Sequence, residues 1–197
     1  MNEKAIGQAA KTGSVEDFSA AKRRAMGENV IGHSGSDRWH NLIVSNVAIG
    51  LGSRMHGHKN EIYISNMRVK LRNGVICYPD LAIVAGEPSF TDQRADTLLN
   101  PTVIVDIFSS ESDSLEKTRK LESFLEMESI KEALLIKQDE MRIEHYARQN
   151  QKQWIYRIYN ERDDVVSLDS VNCKISLQEI YANIKFRHAE FSSKAVN

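Results

Sequence analysis

A run of apolar, mostly β-branched residues, TVIVDIF at positions 102–108, places the strongest constraint on the fold of this 197-residue chain. An almost unbroken apolar run of this kind is typical of a strand that is buried on both faces at the centre of a sheet. The sequence therefore predicts a sheet in which residues 101–109 form a central strand. A single charged residue, Asp106, interrupts the run.

The segments around this strand differ in their hydrophobic period. Apolar residues recur at helical spacing over residues 37–55, whereas residues 62–72 alternate between apolar and polar side chains. The pair Asn73-Gly74 follows and favours a hairpin turn into a second strand at 75–84. The same patterns predict helices at 14–26, 113–126 and 177–182, and strands at 133–137, 141–147 and 153–159. This mixed order predicts an α/β or α+β fold with a C-terminal β extension, not an all-β barrel.

Composition excludes several classes of protein. The 41% hydrophobic and 27% charged fractions are ordinary for a folded globular protein. The net charge of −1 excludes a strongly basic protein that holds nucleic acid by overall charge. Cys77 and Cys173 lie far apart, which argues against a disulfide framework or a thiolate zinc site. Because neither a secretory signal nor a membrane span is apparent, we expect a cytoplasmic protein with no membrane association.

The length of the chain is that of one ordinary domain, and a chain near this size buries roughly 70% of its unfolded surface. The first residues are small and polar, so we expect a flexible N-terminus over residues 1–13. We further expect a single domain over residues 14–184 and a C-terminal tail over residues 185–197.

Two aspartates lie on strand faces that are otherwise apolar. Asp106 shares its face with Ile104, and Asp80 shares its face with Ala82 and Val84. A buried carboxylate is costly unless it is paired or bound to a cation. Taken singly, Asp106 is also explained by a structural ion pair, and Asp80 is more commonly a turn-capping residue. If the two converge, they form a hard-oxygen site of the kind that Mg²⁺ or Mn²⁺ prefers.

Lys120 lies in the predicted helix that follows the Asp106 strand, at the border of the apolar stripe that contains Phe124. A lysine at such a border usually extends into water. Here the loop between strand and helix is short, so the ammonium could reach the carboxylate pair. Two carboxylates, a divalent ion and a lysine form a hydrolytic unit: the metal polarises a phosphodiester and generates hydroxide, and the lysine stabilises the nucleophile or the developing charge.

Three stretches of the chain carry a resemblance to a known family: ISNMRVKL, YPDLAIVAGEPSFTDQRADTLLNPTVIVDIFS and EKTRKLESFLEMESIKEALLIKQ. They resemble the Uma-two family of restriction endonucleases, within the PD-(D/E)XK nuclease superfamily. The resemblance spans residues 17–184 and is densest over 65–138. It implies a restriction-endonuclease-like core, in which a central mixed sheet is flanked by helices, and a magnesium-dependent site that cuts DNA.

The resemblance also implies roles for individual residues. Asp80 corresponds to the aspartate of the PD motif, and Asp106 to the (D/E) carboxylate. Lys120 corresponds to a lysine that the family carries on the following helix instead of two residues after the acid, and Phe108 at that nearer position fits the displaced arrangement.

The sequence departs from the family pattern near these positions. Asp106 stands where glutamate is usual, and Asn66 stands where an aspartate is usual before MRV. Glu28 resembles the glutamate of an N-terminal DGE segment. His40 matches the HN of the first long helix, where it could bind water, metal or phosphate, although a single helical histidine is more often a surface or core-edge residue. His40, Glu28 and Asn66 are therefore candidates for the edge of the site.

Arg68, Lys70 and Arg72 alternate with apolar residues and fall on one strand face. This basic face could contact the phosphates of a DNA backbone. An ordinary solvated strand face, on which lysine discourages edge pairing, explains the pattern equally well.

The primary hypothesis is a Mg²⁺- or Mn²⁺-dependent DNA endonuclease, in which Asp80 and Asp106 bind the metal and Lys120 assists catalysis. An alternative is a nuclease-fold interaction module whose site has decayed through the changes at Asn66 and Asp106. A third is a metal-dependent phosphohydrolase that acts on RNA or nucleotides. Cutting of double-stranded DNA would predict a homodimer, because one active site cuts one strand.

Overall fold

The central strand predicted at residues 101–109 is present as Val103–Phe108, inside a sheet of six strands. The computed structural model describes residues 30–31, 37–55, 59–91, 93–110 and 114–186. In chain order the strands and helices are β1 Val30–Ile31, α1 Arg38–Met55, β2 Asn60–Ile64, β3 Arg68–Lys70, β4 Ile76–Cys77, β5 Leu81–Ala85, β6 Thr97–Leu98, β7 Val103–Phe108, α2 Ser114–Leu125, β8 Glu132–Lys137, β9 Ile143–Arg148, β10 Trp154–Tyr159, β11 Val165–Leu168, β12 Cys173–Ser176 and α3 Leu177–Ile180.

The large sheet has the order β10-β9-β8-β7-β5-β2, and a smaller sheet has the order β1-β4-β3-β6. Within the large sheet β7 and β8 are parallel, while the other neighbouring pairs are antiparallel. Strands β11 and β12 form a separate antiparallel pair. The mixed sheet with flanking helices confirms the predicted fold class.

Each face of the large sheet has its own hydrophobic core. On one face α1 packs against the sheet through Ile43, Val47 and Leu51, and the β11–β12 pair joins the same core. On the other face Phe124 of α2 and residues of the small sheet, such as Val69, cover the apolar side chains of β5 and β7. The two long helices therefore lie on opposite faces of the sheet, with β5 and β7 between them.

The structure corrects the prediction of one continuous strand over residues 62–72 and one over 75–84. The first is two strands, β2 and β3, separated at Ser65 and Asn66, whose φ angles of 37° and 65° lie in the left-handed region. The second is also two strands, β4 and β5, and these belong to different sheets. The Asn73-Gly74 turn is confirmed between antiparallel β3 and β4, with Gly74 at a φ of 82° that glycine adopts without strain.

Three of the four predicted helices are confirmed. The helices predicted at 37–55, 113–126 and 177–182 correspond to α1, α2 and the shorter α3. The β11–β12 pair was not predicted, although Val166, Leu168 and Ile175 alternate with more exposed residues there. The predicted helix at 14–26 lies outside the described residues. No helix in the described part of the chain combines the length and apolarity that a membrane crossing needs.

Candidate active site

Asp80 lies where the chain passes from the small sheet to the large one. Strand β4 ends at Cys77 and β5 begins at Leu81, and Pro79 between them has no amide hydrogen to give to either sheet. The Asp80 amide donates to Asp106 Oδ1 at 3.2 Å, and the Asp80 carbonyl accepts from the Ser65 amide at 2.9 Å. The aspartate is therefore fixed by its backbone as well as by its side chain, and it is 2% exposed.

Asp106 lies on β7 beside Asp80, because β5 and β7 pair with Leu81 opposite Val105. Asp106 accepts the Asp80 amide, and in return Asp80 Oδ2 accepts the amide of the next residue on β7, Ile107, at 2.7 Å. Asp106 is 7% exposed and shares its strand face with Ile104, which packs in the core beneath α2. The two carboxylates predicted from the sequence are thus brought together.

Lys120 reaches this pair from the middle of α2. Its Nζ lies 2.6 Å from Asp106 Oδ2 and also donates to the Tyr78 carbonyl at 3.4 Å. One helical turn further, Phe124 is fully buried, so residue 120 lies on the helix face that packs toward the sheet. The Lys120 side chain is 12% exposed, and its contact with Asp106 agrees with the expectation that the ammonium reaches the carboxylate pair.

His40 contacts the pair from the opposite face of the sheet. Its Nε2 lies 2.8 Å from Asp80 Oδ1, and because an ionised carboxylate only accepts hydrogen bonds, Nε2 carries the hydrogen. The start of α1 positions this ring, since Asp37 Oδ1 accepts the amides of Trp39 and His40 as an N-cap, each at 2.9 Å. His40 is 3% exposed and contacts Asp80 directly.

Burial and charge perturb both titratable members of the Asp106–Lys120 pair. Burial raises the pKa of Asp106 to about 6; the Lys120 ammonium opposes this rise and the Asp80 carboxylate adds to it. Burial alone would lower the pKa of Lys120, but its attraction to Asp106 and its hydrogen bond to that carboxylate raise the pKa overall. Two buried carboxylates thus face one ammonium, and this excess of negative charge favours a further cation.

The donor set is suited to a hard cation with a small number of protein ligands. In the described part of the chain, no three His, Cys, Asp or Glu side chains are grouped as a metal-binding cluster. Asp80 and Asp106 are the two candidate ligands, and Mg²⁺ commonly binds through one or two carboxylates with water and substrate phosphates completing its shell. Each carboxylate oxygen already accepts one bond, and a carboxylate offers about four lone-pair positions in all.

The remaining candidates are placed differently. Asn66 is exposed and does not contact either carboxylate within the described residues, although neighbouring Ser65 binds the Asp80 carbonyl. Glu28 lies outside the described residues. Arg68 is near Asp96, at 3.7 Å between Nη1 and Oδ2, whereas Lys70 and Arg72 line a separate pocket. The predicted basic strand face is therefore divided.

Sequence reasoning missed the contacts made by backbone groups and by the N-cap. The Ile107 amide and the Tyr78 carbonyl hold Asp80 and Lys120, but every residue has such groups, so no side-chain pattern distinguishes them. Asp37 entered the sequence analysis only as the first residue of the predicted helix at 37–55. Its position three residues before His40 was a usable signal, because an N-cap aspartate accepts the backbone amide of the third helical residue.

Comparison with solved structures identifies the class of fold. The chain is similar to a crystal structure from Anabaena variabilis described as a putative nuclease belonging to DUF820, with a TM-score of 0.64 and 16% identity over 75% of this chain and 83% of that chain. At this identity the similarity establishes that the two chains share a fold.

Residues 21–178 match the profile of the Uma2 family, described as "Putative restriction endonuclease". The chain belongs to this family, and the resemblance inferred from its motifs is confirmed. It is also 28% identical over 141 residues, 71% of its length and 80% of the relative, to an uncharacterized protein, sll1609, from Synechocystis sp..

Proposed function

We propose that this protein is a Mg²⁺- or Mn²⁺-dependent endonuclease that hydrolyses phosphodiester bonds in double-stranded DNA. One observation carries the proposal: Asp80, Asp106 and Lys120 come from three separate elements and meet at one buried point, where the ammonium lies 2.6 Å from a carboxylate oxygen. Family membership supports a nucleic acid as the substrate.

Asp80 and Asp106 are the residues that would hold the metal. When bound, the ion would supply a Lewis acid for the phosphodiester and a water molecule of lowered pKa. Lys120, kept protonated by its neighbour, would stabilise negative charge that develops on the phosphate in the transition state. His40 would keep Asp80 Oδ1 in place, which is the usual task of groups that orient metal ligands.

The direct test is a cleavage assay with supercoiled plasmid. We expect conversion to nicked and linear forms in Mg²⁺ or Mn²⁺ and none in EDTA, with competition by unlabelled duplex DNA exceeding competition by RNA. Part of the proposal is a homodimer, because one site cuts one strand, and sedimentation at the assay concentration measures the number of copies. Pure protein that leaves the plasmid intact under all of these conditions would contradict a nuclease function.

A second candidate is a nuclease-fold interaction module that no longer cleaves. It is favoured by the internal pairing of the site, because each carboxylate oxygen already has a protein donor. Binding of Mn²⁺ to the folded state raises the melting temperature by mass action. An active site should gain stability in Mn²⁺ and lose that gain in Asp80→Asn, whereas a decayed site should melt alike in both variants.

The raised pKa of Asp106 makes metal binding depend on pH. Between pH 3.8 and about 6 the folded protein holds a proton on Asp106 that the unfolded chain has released. The contribution of Asp106 to the free energy of unfolding of the metal-free protein therefore falls over this pH range and is constant above it. The proton also competes with the metal, so we expect an affinity for Mn²⁺ about tenfold weaker at pH 5 than at pH 7. Titration of the melting temperature with Mn²⁺ at both values measures this.

The control for this titration is Asp80→Asn, which should show no Mn²⁺-dependent increase at either pH. An affinity for Mn²⁺ that is the same at pH 5 and pH 7 would mean that Asp106 does not bind the ion.

A further inference from the structure

A pocket of about 320 Å³ lies between the small sheet and the loop that follows α2. Strand β3 and the residue pair beyond it supply its basic side, and the segment from Met127 to Ser129 supplies the other. Its lining residues are Lys70, Arg72, Leu99, Met127, Glu128 and Ser129. Lys70 and Arg72 belong to the basic strand face that the sequence analysis offered as a possible contact for DNA phosphates, and the other four lining residues were not singled out. The lining does not include the carboxylate pair.

The two cations of this pocket are available for a ligand. Lys70 and Arg72 are exposed, and within the described part of the chain neither side chain has a hydrogen bond or an ion pair. Arg68 on the same strand differs, because it is near Asp96. An unpaired lysine and an arginine at one pocket are the usual partners of a phosphate, the arginine through its planar fork and the lysine as a point charge.

Ser129 supplies an independent observation. Its hydroxyl oxygen is buried and has no hydrogen-bond partner in the described structure. Buried polar atoms are almost always satisfied, and an unsatisfied one calls for an explanation such as an absent ligand. A serine hydroxyl donates readily to a phosphate oxygen. Ser129 lines the same pocket as Lys70 and Arg72, with its hydroxyl oxygen buried in the pocket wall.

Glu128 is the one acidic side chain that lines the pocket, and it is exposed. Against an anion it acts with the opposite sign to Lys70 and Arg72, so the lining keeps an excess of one positive charge, two cations against one carboxylate. This opposition is useful, because removal of the Glu128 charge should strengthen the binding of an anion and weaken the binding of a cation.

One side of the pocket is supplied by the segment that follows α2, the helix that carries Lys120. Met127 follows Lys120 by seven residues, most of them in α2, which corresponds to about 10 Å along the helix. One strand of duplex DNA carries a phosphate about every 3.4 Å of helix axis, so this separation corresponds to roughly three phosphates.

We infer that the pocket formed by Lys70, Arg72 and Ser129 binds a backbone phosphate of the nucleic acid strand, a few nucleotides from the bond at the aspartate pair. The inference rests on the proposed function for the identity of the strand. It adds a second anchoring point on the same polymer, and it assigns Ser129 a role that no motif indicated.

The test measures the salt dependence of duplex binding by fluorescence anisotropy in EDTA, so that cleavage plays no part. A protein that neutralises one phosphate fewer loses about 0.9 from the slope of log K against log salt. Because the pocket holds one phosphate, Lys70→Gln with Arg72→Gln should therefore reduce the slope by about 0.9. The control is Arg157→Gln with Lys174→Gln, which removes two exposed cations outside the pocket and should leave the slope unchanged.

Two single variants separate a ligand role from a structural one. Ser129→Ala should weaken duplex binding about tenfold at constant slope, without lowering the melting temperature, because it removes a hydroxyl that has no partner in the fold. Glu128→Gln should tighten binding severalfold.

The result that overturns the inference is an equal slope in the pocket variant and the control variant, or a duplex that does not bind at low salt. Failure of the proposed function looks different: a protein that shows the slope change but does not cut plasmid in Mg²⁺ binds the strand here and is not a nuclease. A tighter rather than weaker complex for Lys70→Gln with Arg72→Gln would also overturn the inference.

Discussion

Asp106→Asn is expected to reduce metal-dependent cleavage of plasmid DNA by at least about 10³-fold. The bound metal contributes several kcal/mol of transition-state stabilisation, and each 1.36 kcal/mol corresponds to a factor of ten in rate. The amide cannot replace a charged ligand, and its NH₂ group would face the Lys120 ammonium, donor against donor. Single-turnover cleavage with saturating protein measures the loss without contributions from product release.

The matched control is Glu132→Gln, which neutralises another buried carboxylate in the same sheet. Glu132 is 4% exposed and is tied to His145, Ser170 and the Asp169 amide, so the variant should lose stability. It lies opposite Val103, three residues along β7 from Asp106, and its folded fraction should cleave at the wild-type rate. Equal losses of cleavage in the two variants would show that Asp106 acts through the fold alone.

Lys120→Met is expected to lower the free energy of unfolding of the metal-free protein by about 3–5 kcal/mol at pH 8. Removal of the ammonium leaves Asp106 buried and ionised beside Asp80, and an uncompensated buried charge is costly. Without Lys120 the folded pKa of Asp106 rises further, so the variant takes up a proton as the pH falls and its deficit should shrink toward pH 5. Urea unfolding at the two pH values measures both effects.

Lys117→Met is the matched control on the same helix. Lys117 is 25% exposed and lies 3.3 Å from Glu144, which also has Arg142 at 3.5 Å, so its loss leaves no unpaired charge and should cost about 0–1 kcal/mol. In the Lys120→Met background, Asp106→Asn should restore most of the lost stability, because no unpaired charge then remains on β7. A similar cost for the two lysine variants would mean that Lys120 is only a packing residue.

Much of the fold can be predicted from the spacing of apolar residues in the sequence. The helical spacing of Ile43, Val47 and Leu51 predicts α1 because these side chains must fill one core, and they do. The apolar run around Asp106 predicts a strand that is buried on both faces. In the structure α1 covers one face of the sheet and α2 covers the other. The aspartates were recognisable for the same reason, since a charge within such a run demands a partner.

The division of the hairpin region between two sheets could not be predicted in this way. Residues 62–72 alternate in character throughout, and alternation describes side chains facing two sides without indicating where the backbone turns. The turn occurs at Ser65 and Asn66, and asparagine is among the few residues that enter the left-handed region readily. Only the partner strands decide the split, because β2 pairs with β5 whereas β3 pairs with β4 and β6.

The candidate site was predictable in its charged members and not in its geometry. Asp80, Asp106 and Lys120 each carry a type of side chain that is expensive to bury, which makes them visible in a sequence. His40 was assigned to the edge of the site because one imidazole in a helix has many common explanations. Its contact with Asp80 depends on how α1 crosses the sheet, which is set by packing between segments distant in the chain.

The two amide bonds between Asp80 and the Asp106–Ile107 segment also favour the correct register between β5 and β7. A slip of one residue between β5 and β7 would invert their faces and separate both carboxylates from their donors. In a misaligned sheet the carboxylates of Asp80 and Asp106 would be buried without these hydrogen-bond donors. The aspartates proposed for catalysis therefore also destabilise an incorrect register. Their contribution to the stability of the sheet would remain in a protein that no longer cleaves.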